Sequence, residues 1–261
     1  MFLEKGDEVI RVDYAQRVLM DVLDAARRPD SYAVMLLDVS AAAVFRDEYK
    51  KKHGVSLTTL HVIIKAIAVA LEKDPWLHYM VDGYKMIKPS SIDVGVSVAA
   101  KETVTPVVVI KEANKKSLKE ISEELATKAS QAIEAEKENL EKLNRFARWL
   151  PFNFIRRRII RFLVKQYRLR RSVLGTVQIT SLGLKDLAFH LPSHMGTTML
   201  IGVGGVARRP VVVGDRIEIR PTVYLAVQVD QRVMNAVAGL KVFRRFRRLM
   251  EHPHELEGGE G

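Results

Sequence analysis

At 261 residues, with 48% hydrophobic and 28% charged residues, the chain reads as a folded globular protein with one large core, which excludes a largely disordered polypeptide. It contains no cysteine, so disulfides, thiolate metal sites and a cysteine nucleophile are excluded. The formal charge is +11, yet ten basic residues and no acid lie between Arg145 and Arg171, and the rest of the chain is neutral to within one charge. Such a local excess is unlike the spread basic face of a nucleic-acid-binding protein. Met1 to Asp7 has no apolar run and so does not read as a secretory signal. The apolar stretch Leu60 to Leu71 is too short to span a bilayer. The expectation is a soluble, cytoplasmic protein, with a peripheral position on a membrane surface as the alternative.

In chain order, Val9 to Ala26 carries helical apolar spacing and Ser31 to Val39 is rich in strand formers. Ala41 to His53 is helical and stops at Gly54. Ser56 is the expected cap of a helix running to about Lys73, where Asp74-Pro75 breaks it. Two short strands follow around Asp82-Gly83, then strands over Ile92 to Val98 and Val104 to Ile110. Ser117 to Glu120 is a capping box opening a long charged helix to about Leu143. Beyond the basic stretch, Gly175 to Ser181, Met199 to Val206, Pro210 to Val213 and Arg216 to Val229 are strand-like, with Gly214-Asp215 as a hairpin turn. A helix over Ala236 to Met250 closes a single domain, residues 1–251, and 252–261 reads as a polar tail. Interleaved helices and strands with late antiparallel strands make this an α/β protein with a mixed sheet. Gly202 to Gly205 lacks the lysine and helix of a phosphate loop and fits a strand that another backbone approaches closely.

The run from Ile201 through Pro221 to Ala236 resembles the catalytic domain of the acyltransferase component of 2-oxoacid dehydrogenase complexes. Gly175 to Gly183, Ser91 to Val98, Thr105 to Val108, Asn114 to Leu118, Ile64 to Ala68 and the Asp82-Gly83 turn match in the same order. Residues of about 144–172 stand outside the resemblance as an insertion. The resemblance implies a chloramphenicol-acetyltransferase-like two-layer sandwich assembled as a homotrimer, with trimers stacked into larger shells in some members. It implies an active-site channel between subunits, entered by coenzyme A at one end and by a lipoyl-bearing partner at the other. With nothing preceding the core helix, a free-standing core without lipoyl domain or covalently bound cofactor is expected.

Thioester exchange needs a base for the thiol and a donor for the tetrahedral oxyanion. The family carries its base in an H-x-x-x-D-G motif, which aligns with Gln231, Asn235 and Ala236. The Gln231 amide cannot take a proton from a thiol, and Asn235 keeps the size of aspartate without its charge. Thr180, with Ser181 beside it, stands at the oxyanion donor. His190 and His194 are candidate replacement bases in the following loop, against their reading as solvated loop residues. His61, on an apolar helix face, reads as a packed core residue, and no spacing suggests a metal site. Three readings stand: a trimeric binding or scaffold protein with lost or reduced acyl transfer, a working coenzyme-A-dependent acyltransferase with another base, and a peripheral membrane protein.

The basic insertion reads as one amphipathic helix. Arg157, Arg158, Arg161, Lys165 and Arg168 share one face, and Ile155, Ile159, Phe162, Leu163 and Leu169 another, with Trp149, Phe152 and Phe154 leading in. It suits an anionic membrane surface. The alternative is packing on its own trimer, with the arginines paired to the glutamates of the preceding helix.

Overall fold

The computed structural model describes Tyr14, Val18, Asp21 and residues 30–82, 85–98, 105–149, 152–181, 183, 187–192, 196–233 and 236–257. The helix expected over Val9 to Ala26 lies outside the described residues, except that Tyr14, Val18 and Asp21 are each helical.

Strand β1 (Asp30–Asp38) leads into α1 (Ser40–His53), and Gly54 ends that helix in the left-handed region, φ 72°. Helix α2 (Thr59–Lys73) is capped by Thr58, two residues later than Ser56: Thr58 Oγ1 accepts the His61 N–H at 3.3 Å, and His61 Nδ1 accepts the Thr58 N–H at 3.2 Å. His61 is therefore a half-buried member of a reciprocal cap, not a core residue. Burial, with the Arg46 charge adding, lowers its imidazole to about 4. From Val62 to Leu71 α2 is apolar apart from Lys65, and Val62, Ile63, Ile64, Ile67 and Leu71 are wholly buried at the centre of the main core. Lys65 is buried there too, because its ammonium donates to the carbonyls of Asn114 and Lys116 at 2.8 and 2.6 Å.

Next come β2 (Met80–Asp82) and β3 (Lys85–Ile87), a small antiparallel pair, and then β4 (Val94–Ser97) and β5 (Val107–Ile110). The Ser117 capping box opens α3 (Leu118–Glu134) with both of its hydrogen bonds made. The helix expected to reach Leu143 divides instead at Ala135 (φ −78°, ψ −2°) and resumes as α4 (Glu136–Trp149). An alanine in the bridge region leaves no mark on sequence periodicity, so the sequence pattern runs on through the break. Helices α5 (Asn153–Lys165) and α6 (Tyr167–Leu174) follow, separated by Gln166 in extended geometry. Last are β6 (Val177–Ser181), β7 (Met199–Val203), β8 (Ala207–Val213), β9 (Arg216–Asp230) and α7 (Ala236–Glu251).

The sheet is mixed, in the order β1-β9-β7-β6-β4-β5 with β8 also paired to β9. Ladders β4/β6 and β6/β7 are parallel and the others antiparallel. Its long strand β9 pairs with β8 through the two-residue Gly214-Asp215 turn and then with β1 and β7. The segment 252–257 is not a solvated tail. Pro253 to Leu256 forms a 3-10 turn whose Leu256 enters the main core, while the His254 ring meets Phe45 edge-on at 5.1 Å.

Helix α6 belongs to the core rather than to an insertion. Arg171 Nε donates to Asp93 Oδ2 at 2.9 Å, and the buried Arg170 donates to the carbonyls of Val81 and Gly196 at 2.6 and 2.9 Å. Burial alone would raise the Asp93 carboxyl, but donors from Ser91, the Glu112 N–H and Arg171 outweigh it and hold the group below the usual carboxylate range. Beside it His78 is 3% exposed, with Nδ1 unpartnered. Burial, helped by Lys88 and Arg171 against Asp93, lowers it to about 4. The unfolded chain then takes up a proton near pH 6.5 that the folded chain refuses until about pH 4, so stability is complete above that range and falls as pH drops through it. Between pH 7 and pH 4.5, denaturant unfolding is expected to show a loss of roughly 2 kcal/mol through His78. In His78→Phe the loss shrinks to what the half-exposed His61 leaves; an unchanged loss would remove His78 as its source.

Candidate active site

Thr180 lies near the end of β6 and is buried, flanked in register by Ser97 of β4 and Gly202 of β7. Ser181 follows, half-buried beside Val203. In-register neighbours project to the same face of a sheet, so the space above Gly202 adjoins the Thr180 hydroxyl. The backbone of 187–192 occupies that space. A Cβ at Gly202 would meet the His190 carbonyl oxygen at 2.2 Å, and one at Gly204 would meet that of Ala188 at 1.8 Å. These two glycines are thus required by close backbone approach, as the sequence suggests. His190 sits on the Thr180 face of the sheet with its side chain exposed, and His194 lies outside the described residues.

Gln231 begins the turn that ends β9, and its side chain is exposed. The turn is clasped from both sides. Asp230, wholly buried, accepts Arg232 Nε at 2.9 Å, Nη2 at 2.6 Å and the Arg232 backbone N–H at 3.0 Å. That carboxylate, through its hydrogen bonds, raises the Arg232 guanidinium further above its ordinary value. Val233 N–H closes the turn on the Asp230 carbonyl at 3.1 Å, and the Asp230 N–H reaches the Thr198 carbonyl at 2.9 Å. One step earlier on that strand face, the buried Gln228 donates to Asp30 Oδ2 at 2.5 Å and Tyr32 Oη at 3.3 Å. Arg232, Asp230 and Gln228 were not singled out from sequence. An arginine two residues from an aspartate at a strand end was the available signal. Asn235 lies outside the described residues, and α7 begins at Ala236.

One chain does not bring the two halves together. Thr180 is in register with Gly202 and, through it, with Ala226, five residues before Gln231. Five residues of strand and two strand spacings correspond to roughly 17 Å along and 10 Å across the sheet. No hydrogen bond can link Thr180 and Gln231 within a protomer.

The predicted cationic face is also rearranged. Arg157, Arg158, Arg161 and Lys165 are on α5 and exposed, but Arg168 lies beyond the Gln166 break on α6. Arg156, immediately before them in sequence, points inward and is buried against Asp21.

The chain matches the family model of 2-oxoacid dehydrogenases acyltransferase (catalytic domain) over residues 4–143 and 164–257, leaving 144–163 unmatched. It is 25% identical over 225 residues to the dihydrolipoyllysine-residue succinyltransferase component of the 2-oxoglutarate dehydrogenase complex of Rickettsia conorii, covering 84% of this chain and 49% of that protein. The chain thus spans about half the length of the curated relatives it matches. Its fold is similar to the cubic core of the pyruvate dehydrogenase multienzyme complex, with a TM-score of 0.71 and 20% identity over 96% of this chain and 94% of that one. Equally similar is the dihydrolipoamide acetyltransferase of Azotobacter vinelandii, with a TM-score of 0.73 and 20% identity over 96% and 94%. That enzyme was studied for the catalytic role of a serine, a histidine and an asparagine four residues after the histidine.

Proposed function

Since this chain belongs to the family of 2-oxoacid dehydrogenase acyltransferase catalytic domains, we propose that it is a coenzyme-A-binding core protein of the cytoplasm in which acyl transfer between thiols is lost or strongly reduced. It serves as a homotrimeric binding or assembly core, alone or stacked into a larger shell. The reading rests on residue 231: the turn after β9, clasped by Asp230 and Arg232, carries an exposed Gln231 amide, at the position that the resemblance aligns with the family's histidine. An amide binds and orients, but it does not accept a thiol proton at neutral pH. In the Azotobacter enzyme the asparagine stands four residues beyond the catalytic histidine, and Asn235 stands four residues beyond Gln231. Asparagine at this place is therefore compatible with a working site, and the deficit narrows to position 231. The separation of Thr180 from Gln231 within a chain supports assembly, since a site containing both needs two copies. Thr180 then supplies the oxyanion hydroxyl from one protomer, and the β9 turn comes from its neighbour. A lipoyl-bearing domain is the matching partner, and coenzyme A or its thioester the ligand.

A second reading rests on His190. Its main chain lies over Gly202, on the sheet face that carries the Thr180 hydroxyl, and a histidine there is the nearest described candidate for an alternative base. Under it the protein is an active coenzyme-A-dependent acyltransferase. Calorimetry with coenzyme A, sedimentation, and an acetyl-coenzyme A to dihydrolipoamide assay separate the two. The proposal expects coenzyme A binding, a trimer or multiple of trimers, and no turnover above background. Rapid turnover abolished by His190→Ala would establish the second reading instead.

A further inference from the structure

Residues 144–163 fall in the gap of the family match and are built from α4, α5 and their junction. Their inner side is accounted for. Ile160 packs with Val18 and Ala147 in a small cluster separate from the main core, and Arg156 is buried on Asp21 at 2.6 Å. The outer side is not. On α5, Phe154, Arg157, Arg158, Arg161, Phe162 and Lys165 are all exposed, and at 3.6 residues per turn they fall within about 140° of one face. The sequence pattern separated cations from aromatics onto two faces; in the fold they interleave on one. They line an open depression of about 570 Å³. Trp149 ends α4 and Phe152 precedes α5, its ring 6.3 Å from that of Phe154; Trp149 is 78% exposed, Phe154 72%, and Phe152 and Phe162 63% each.

Pairing with the preceding helices does not occupy the cations. Glu124 binds Lys116 and Lys128, and Glu138 binds Lys142. Arg157 is held by Asp21 at 2.8 Å, whereas Arg158, Arg161 and Lys165 form no ion pair among the described residues. Arg158 and Arg161 lie in the stretch 144–163 that the family model leaves unmatched, so an interface common to the family does not account for them; Lys165 lies just inside the matched part. Phe152 and Phe154 are in ring contact, and with Trp149 and Phe162 they leave four large aromatic side chains exposed within fourteen residues, a concentration that monomeric proteins seldom leave to water.

We infer that the outer face of α5, with Trp149 and Phe152 at its N-terminal end, is a docking surface for an anionic lipid bilayer. The rings enter the headgroup region while Arg158, Arg161 and Lys165 pair with lipid phosphates. Cations and rings share one face of a single helix from Phe154 to Lys165, about three turns or roughly 17 Å. That is short for the extended basic groove that tracks a single-stranded nucleic acid, whereas rings and cations at one depth suit the bilayer interface. No described helix is long and apolar enough to cross the membrane, so the contact is peripheral.

The test floats the full chain with vesicles of phosphatidylcholine mixed with phosphatidylserine, and with vesicles of phosphatidylcholine alone. Flotation is expected with the mixed vesicles only. Each interfacial cation contributes roughly fivefold to partitioning, so Arg158→Gln/Arg161→Gln/Lys165→Gln is expected to weaken it by on the order of a hundredfold. Phe154→Ser/Phe162→Ser is expected to weaken it at least about tenfold. All five positions are exposed, so the fold stands, and release of the native protein by rising salt gives a readout that needs no variant. Three results would overturn the proposal. They are no flotation with the mixed vesicles, full flotation by the phenylalanine variant, and a single-stranded oligonucleotide bound in place of vesicles.

Discussion

Replacing Gln231 with histidine is expected to raise acetyl transfer from acetyl-coenzyme A to dihydrolipoamide by about 10²–10⁴-fold over the native protein. The expectation follows from what surrounds the position. The turn is already fixed by the buried Asp230, which binds Arg232 through two nitrogens and its backbone N–H. A histidine introduced there inherits a rigid backbone and an imidazole that titrates near neutral pH. Glutamine reaches about as far and hydrogen-bonds as well, so the exchange restores a proton acceptor with little change of shape. Under the proposed reading Thr180, held in β6 between two ladders, supplies the oxyanion hydroxyl. In the Gln231→His background, Thr180→Ala should therefore remove about 10²–10³ of the gained rate. A steady-state assay reads both. If coenzyme A still binds to Gln231→His and the rate does not rise, the amide is not what silences the site.

Asp21→Ala is expected to cost about 3–5 kcal/mol of the stability of the α5 region, because it leaves the buried Arg156 guanidinium without its carboxylate. Arg156 is 2% and Asp21 3% exposed, and among the described residues only Asn153 Oδ1, accepting Nη2 at 3.1 Å, would remain to compensate. Replacing both as Asp21→Leu/Arg156→Met should return most of the loss, since a desolvated pair and a well-packed apolar pair differ little in net energy. The Val18, Ala147 and Ile160 cluster that this pair adjoins is separate from the main core. The single variant should accordingly open locally, with cleavage near α5 by dilute protease, while the main denaturant transition stays in place. Additive losses in the double variant would mean that the pair is not coupled.

Much of the fold was legible because its signals are local. Gly54, the Ser117-Glu120 box and Gly214-Asp215 each act through their own backbone geometry, and each is found where the sequence puts it. The misses share a cause. Ser56 and Thr58 are both competent caps, and the reciprocal bond from His61 selects Thr58. The breaks at Ala135 and Gln166 carry neither glycine nor proline. Leu256 resembles a tail residue until the main core claims it. Of the candidate site, Thr180 and Gln231 could be named from the pattern of residues, but their separation could not, because it depends on strand register.

The chain's own residues thus determined its family, the order of its strands and helices, the glutamine at position 231 and the localisation of its positive charge. These depend on residue identity and short spacings, which a linear chain displays. Tertiary structure alone decided which arginines are spent inside and which face outward. Arg156 and Arg157 are adjacent, yet one is buried on Asp21 and the other lies on the exposed face of α5. Arg170 and Arg171 are drawn into the core by carbonyls and a carboxylate far away in sequence. A charged side chain goes where its counter-charge and desolvation cost balance, and that balance is struck between segments that meet only when the chain folds.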